Sequence, residues 1–191
     1  MKRGWVSLVI GVAVIALAAC GDGKTTPTVT PTVTQRTGPT AAGLIPDLSA
    51  LGFTKTAEER DPAARAGQDA RRALYERSAA PKMSVRVDIV VLADEAAAKV
   101  QFAAVSEALK NPPADLFGGT STPKDTPPIT GLGTESRSFV TSRPDAQSNI
   151  VWTDAYRSGR VVLIVQLLMP STEQAQPQRT AIGQAILSKI N

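Results

Sequence analysis

Val161-Val162-Leu163-Ile164-Val165-Gln166-Leu167-Leu168 is almost continuously apolar and rich in β-branched residues. Gly159 precedes it and Pro170 follows it, so its length suits a strand. A strand without alternation is apolar on both faces. It therefore belongs in the middle of a sheet, with other elements covering both sides of that sheet.

The rest of the chain supplies the sheet and its covers. Residues 83–92 alternate, with Val85, Val87, Ile89 and Val91 on one face and Ser84, Arg86 and Asp88 on the other. That period of two marks a half-buried strand. It pairs as a hairpin with residues 70–77 across a loop at 78–82. A first edge strand is expected over 53–59, entered through Gly52 after a short helical turn and broken by Asp61-Pro62. A helix then begins at Asp94, a good N-cap, with Glu95 beside the positive end of the dipole. Ala98, Phe102, Val105 and Leu109 give it one apolar face, and Asn111-Pro112-Pro113 ends it. Residues 114–134, rich in Pro, Gly and Thr, read as one long surface loop, a feature that often carries function. Strands over 135–142, 149–157 and 160–169 form a meander, turning at 143–147 and at Ser158-Gly159. A closing helix starts between Thr172 and Pro177 and carries Ile182, Ile186 and Ile190, with Leu187 beside that stripe. The fold class is α+β: a mostly antiparallel sheet of five to six strands covered by two main helices, in a single domain over 44–191.

The first 43 residues lie outside that domain. Met1-Lys2-Arg3 is positively charged, residues 5–19 are apolar apart from Ser7, and Leu17-Ala18-Ala19-Cys20 follows. This is the signal-peptide pattern with a lipobox in place of the cleavage site, and it closely resembles the bacterial lipoprotein family. The apolar stretch, roughly 15 residues, is shorter than the ~20 that a membrane span needs. The resemblance implies that residues 1–19 are a signal peptide and that Cys20 is acylated and begins the mature chain. It places the protein outside the cytoplasm, anchored to the cell membrane by lipid, each buried CH₂ contributing about 0.8 kcal/mol. Residues 20–43 then form a tether. The Thr/Pro run at 25–34 cannot bury a core and prefers extended geometry, spanning about 3.1 Å per residue.

Composition removes several kinds of chemistry. The chain has no histidine, and Cys20 is its one cysteine. A Ser-His-Asp or Cys-His arrangement is excluded, as are His-ligated metals, and acylated Cys20 leaves no thiol for a disulfide or a thiolate zinc site. No metal or cofactor is expected. The formal charge is +4, and losing Lys2 and Arg3 with the signal peptide leaves +2. With 4% aromatic residues there is little to stack on single-stranded bases, so nucleic acid is not an expected partner.

From residue 44 onward the chain is similar to small lipoproteins of the LpqN/LpqT type, which share a PsbP-like α/β/α fold. The likeness rests on the Gly52-Phe53 entry, the strand from Val85 to Val91 followed by an Ala-rich helix, and Arg160-Val161-Val162 leading to a closing helix. Tyr75 and Gly159 also sit where such lipoproteins and extracellular sensor domains carry similar residues. Kinase sensor domains of this pattern have paired cysteines, which residues 44–191 lack. The resemblance implies a non-enzymatic binding or accessory role at the cell envelope.

Candidate site residues each carry two readings. Asp88 and Asp154, if their strands pair, form a carboxylate dyad for acid–base work or a cation site; otherwise they are solvent-facing strand residues. Trp152 and Tyr156 share one strand face and, with Tyr75, are the candidate walls of a ligand pocket; under a helix they are core. Gly131-Leu132-Gly133 lacks the third glycine and the following helix of a phosphate-binding loop, so it reads as a turn. Arg60, Arg65, Arg71, Arg72 and Arg77 are interleaved with acids, which reads as a solvated, salt-bridged surface. The expectation is a lipid-anchored, non-catalytic envelope protein that binds a partner protein, a glycan or a small apolar ligand. The alternatives are an envelope enzyme using carboxylates or Tyr, and an assembly lipoprotein docking through an edge strand and the 114–134 loop.

Overall fold

A computed structural model describes residues 38–62, 64–65, 68–110, 123–142, 149–170 and 173–190. The signal peptide, Cys20, the Thr/Pro run, the 143–147 turn and the first part of the 114–134 loop lie outside the described residues.

Residues 161–170 do occupy the middle of a sheet. The strands are β1 (Thr54–Arg60), β2 (Asp69–Arg77), β3 (Met83–Val91), β4 (Lys124–Thr126), β5 (Glu135–Ser142), β6 (Asn149–Ser158) and β7 (Val161–Pro170). Among the described residues they form one seven-stranded sheet in the order β1-β2-β3-β7-β6-β5-β4, with every neighbouring pair antiparallel. One strand separates this from the five to six expected. β4 is three residues long and flanked by prolines, too short to show an alternating pattern.

Two helices cover opposite faces. α1 (Glu95–Lys110) lies across β5, β6 and β7. Asp94 caps it as expected, its carboxylate accepting from the Ala97 N–H at 2.7 Å. Ala98, Phe102, Val105 and Leu109 pack on Phe139, Ala155 and Val162. α2 (Ala175–Leu187) covers the other face, where Ile182 and Ile186 are fully buried against the side of the sheet that carries Val85, Val87, Ile89, Leu163 and Leu167. Ile190 falls just past the helix end. The antiparallel sheet between two helical layers is an α+β fold.

The α2 face has further cover from two segments. Ala41, Leu44, Ile45 and Leu48 pack into the same core, so the packed region reaches back before Leu44. The Ala41 N–H donates to Asp69 at 2.9 Å, and Lys189 donates to the Ile45 carbonyl at 2.7 Å. The described part of the 114–134 stretch is likewise not all surface loop, because Ile129 and Leu132 are buried in this core. Two isolated apolar residues among prolines and glycines leave no periodicity to read.

Gly133 fixes that segment against β6. Its φ is +70°, and a Cβ there would stand 2.7 Å from the Arg157 carbonyl oxygen, which already accepts from the Thr134 backbone N–H at 2.7 Å. Gly131 shares the left-handed conformation, at φ +77°, but a Cβ would meet nothing within 4 Å. Gly131→Ala should therefore cost only the conformational strain, about 1 kcal/mol, and Gly133→Ala at least about 2 kcal/mol. Urea unfolding of both variants checks this; equal losses would mean that the Arg157 approach restricts nothing.

Candidate functional site

Asp88 and Asp154 are not brought together. Asp88 is on β3 and Asp154 on β6, β7 runs between them, and their side chains point to opposite faces of the sheet. They are not solvent-facing either, since Asp88 is 4% exposed and Asp154 2%. Each is the centre of a separate buried charge cluster, and arginines hold both.

On the α2 face, Arg179 donates from Nε to Asp154 Oδ2 at 2.9 Å and from Nη2 to Oδ1 at 2.5 Å. Ser138 on β5 donates to Oδ1 from its hydroxyl. The guanidinium also stacks on Trp152, 4.3 Å from the ring centroid. Arg179 stands three residues before Ile182, in the same inward stripe of α2. A charge in register with an apolar stripe is the one sequence signal that calls for a buried counter-ion here.

Tyr75, Trp152 and Tyr156 lie on this same side, and they are core. Tyr75 and Tyr156 are buried, and Trp152 packs against the cluster they belong to. The Tyr75 hydroxyl donates to the Pro46 carbonyl at 2.7 Å. Burial pushes both phenols well above their ordinary range, so neither is poised to ionise. α2 and the N-terminal segment cover the face they share.

On the α1 face, the helix packs on β5, β6 and β7, and beside it the second cluster borders a recess. Arg72 donates from Nε to Asp88 Oδ1 at 2.6 Å and from Nη2 to Asp61 Oδ1 at 3.0 Å. Arg86 donates to Asp88 Oδ2 at 2.7 Å. Val90, Val162 and Ile164 floor the recess, Gln101, Val105 and Leu109 of α1 form one wall, and Asp61, Arg65 and Gln68 of the β1–β2 connection form the other. The cavity is about 80 Å³, room for about half a dozen waters. The basic stretch is thus not wholly a solvated surface, because Arg72 is 5% exposed. Nothing in the mixed-sign sequence around Arg72 singles it out; alternation along β2 turns it inward while Ala73 and Tyr75 face the other core.

Burial pushes the Asp88 carboxyl above the usual range, opposed by Arg86 and Arg72. Its folded value lies above its unfolded one, so its contribution to stability is fully present below about pH 4 and is lost as pH rises through the folded value. Wild type should therefore lose ground to Asp88→Asn between pH 4 and pH 7. Denaturant unfolding of the pair at both pH values reads this difference, and a constant gap would refute it.

Neither a family model nor a curated sequence matches the chain. Among solved structures, it is similar to the extracellular domain of PknH from Mycobacterium tuberculosis. The TM-score is 0.55 at 11% identity, over 79% of this chain and 94% of that one. At that identity the likeness shows a shared fold. Among the described residues, no helix is long and apolar enough to cross a membrane, and no group of acidic residues is placed to hold a metal ion.

Proposed function

We propose that this chain is an extracytoplasmic binding domain of the cell envelope, tethered to the membrane through acylated Cys20, and that it holds its ligand in the recess beside α1 without catalysing a reaction. The observation that carries this reading is the state of the carboxylates at the recess. Both oxygens of Asp88, and one of Asp61, accept charge-assisted hydrogen bonds from arginine. A general acid or base needs a carboxyl positioned to exchange a proton with substrate; these are occupied in holding the wall. The lipobox and the extracellular domain of like fold support the location.

Docking through an edge strand is the weaker reading. β1 is exposed along its whole length, but it carries Lys55, Glu58, Glu59 and Arg60 and a register irregularity between Lys55 and Ala57. Charges and bulges of this kind discourage strand pairing. Val100 is the one large apolar side chain standing exposed among the described residues, so those residues form no exposed apolar patch.

The test compares wild type, Cys20→Ala and Ala108→Trp in cells fed a clickable fatty acid, with mass spectrometry of small molecules that co-purify. Label and membrane retention are expected in wild type and Ala108→Trp and absent from Cys20→Ala. A small molecule should co-purify with wild type and be lost from Ala108→Trp, because Ala108 lies on the α1 wall of the recess and an indole there fills it. Label on all three would remove Cys20 as the anchor. Equal small-molecule content in wild type and Ala108→Trp would remove the recess as the site.

A further inference from the structure

We infer, resting on the binding role proposed above, that the recess takes a small organic monoanion with a short apolar tail. Among the described residues, three arginines line it, Arg65, Arg72 and Arg86, against two aspartates, Asp61 and Asp88, which leaves a surplus of one positive charge. A cationic ligand would meet carboxylates that arginine already neutralises. An anion meets the surplus, and low-dielectric walls strengthen that attraction relative to open water.

Arg65 is the group placed to meet it. Its backbone is held at the mouth, the N–H donating to Gln68 Oε1 at 2.9 Å and the carbonyl accepting from Arg60 at 3.0 Å. Its guanidinium makes no ion pair among the described residues. A guanidinium offers a planar pair of donors that matches a carboxylate. The floor of Val90, Val162 and Ile164, with Val105 across from it, offers a complementary apolar surface. The ligand would lie with its tail on the floor and its head at the mouth. A sugar fits less well, because among the described residues no aromatic side chain lines the recess for a ring to stack on. The volume, about 80 Å³, limits the tail to a few carbons and excludes a full membrane acyl chain.

The test uses the full chain in nanodiscs, with valine and isoleucine methyl groups labelled for NMR. It is titrated with butanoate, hexanoate and octanoate, and with hexanamide and hexylammonium as uncharged and oppositely charged controls. At least one carboxylate should shift the Val90, Val162 and Ile164 methyls saturably. Hexanamide should bind that site at least about tenfold more weakly, and hexylammonium should leave it unchanged. Arg65→Gln should weaken the carboxylate about fivefold and leave hexanamide as it was. Hexanamide or hexylammonium binding as tightly as the carboxylates would overturn the anion assignment and leave the recess a binding site. No shift at these methyls with any probe would overturn both.

Discussion

Asp154→Ala should lower stability by about 3–5 kcal/mol, because it leaves Arg179 buried without its counter-ion. Arg179 is 4% exposed, and both of its bonds to Asp154 run from the helix to the sheet. For a domain of this size such a loss lowers Tm by roughly 10 °C or more. Most of the cost is the stranded charge, not the lost bond, and a second variant separates the two. Asp154→Leu combined with Arg179→Met removes both charges and should recover most of the loss. Urea unfolding of the single and double variants decides it. A single variant within about 1 kcal/mol of wild type would show that water reaches Arg179, and a double variant as unstable as the single would show that packing carries the effect.

The pair also has a reason to be where it is. Ile182 and Ile186 lie one turn apart on α2, so an apolar stripe of this kind packs almost equally well when slid by one turn. Arg179 meets Asp154 in one register only, and Trp152 then stacks on the guanidinium. The sheet tells the same story about what patterns can specify. The unbroken run from Val161 announced a central strand, and the alternation of Val85, Val87, Ile89 and Val91 announced its half-buried neighbour, because strand burial has a strict period. Phe102, Val105 and Leu109 announced the face of α1 in the same way. β4 and the burial of Ile129 and Leu132 were illegible, since three residues between prolines and two lone apolar residues have no period to detect. The charge clusters were illegible for another reason. Arg72, Asp88 and Asp154 sit among exposed-looking polar residues in sequence, and only the pairing of strands far apart in the chain turns them toward partners. Tyr75, Trp152 and Tyr156 were visible as a shared face, and whether that face was pocket or core depended on where α2 came to rest.

Arg72→Met should cost a similar amount, about 3–5 kcal/mol at pH 7, and the cost should depend on pH. Arg72 bonds two carboxylates at once, Asp88 at 2.6 Å and Asp61 at 3.0 Å. Asp88 would keep Arg86, at 2.7 Å, but it would lose one of the two groups that hold its carboxyl down against burial. Its folded value, already above the unfolded one, would rise further. A carboxyl raised in this way contributes stability that is present below the unfolded value and lost as pH rises through the folded value. The deficit of Arg72→Met against wild type should therefore be smaller at pH 4 than at pH 7, and adding Asp88→Asn should flatten that difference. Denaturant unfolding at the two pH values measures it. A deficit under about 1 kcal/mol that does not change with pH would mean the cluster is wet and Arg72 is not its hub. Arg65, at the mouth of the same recess, makes no ion pair with either carboxylate, so Arg65→Gln should leave the unfolding curve close to wild type while weakening anion binding. Loss of fold and loss of ligand then fall on different arginines, which lets the recess be tested without dismantling the wall that forms it.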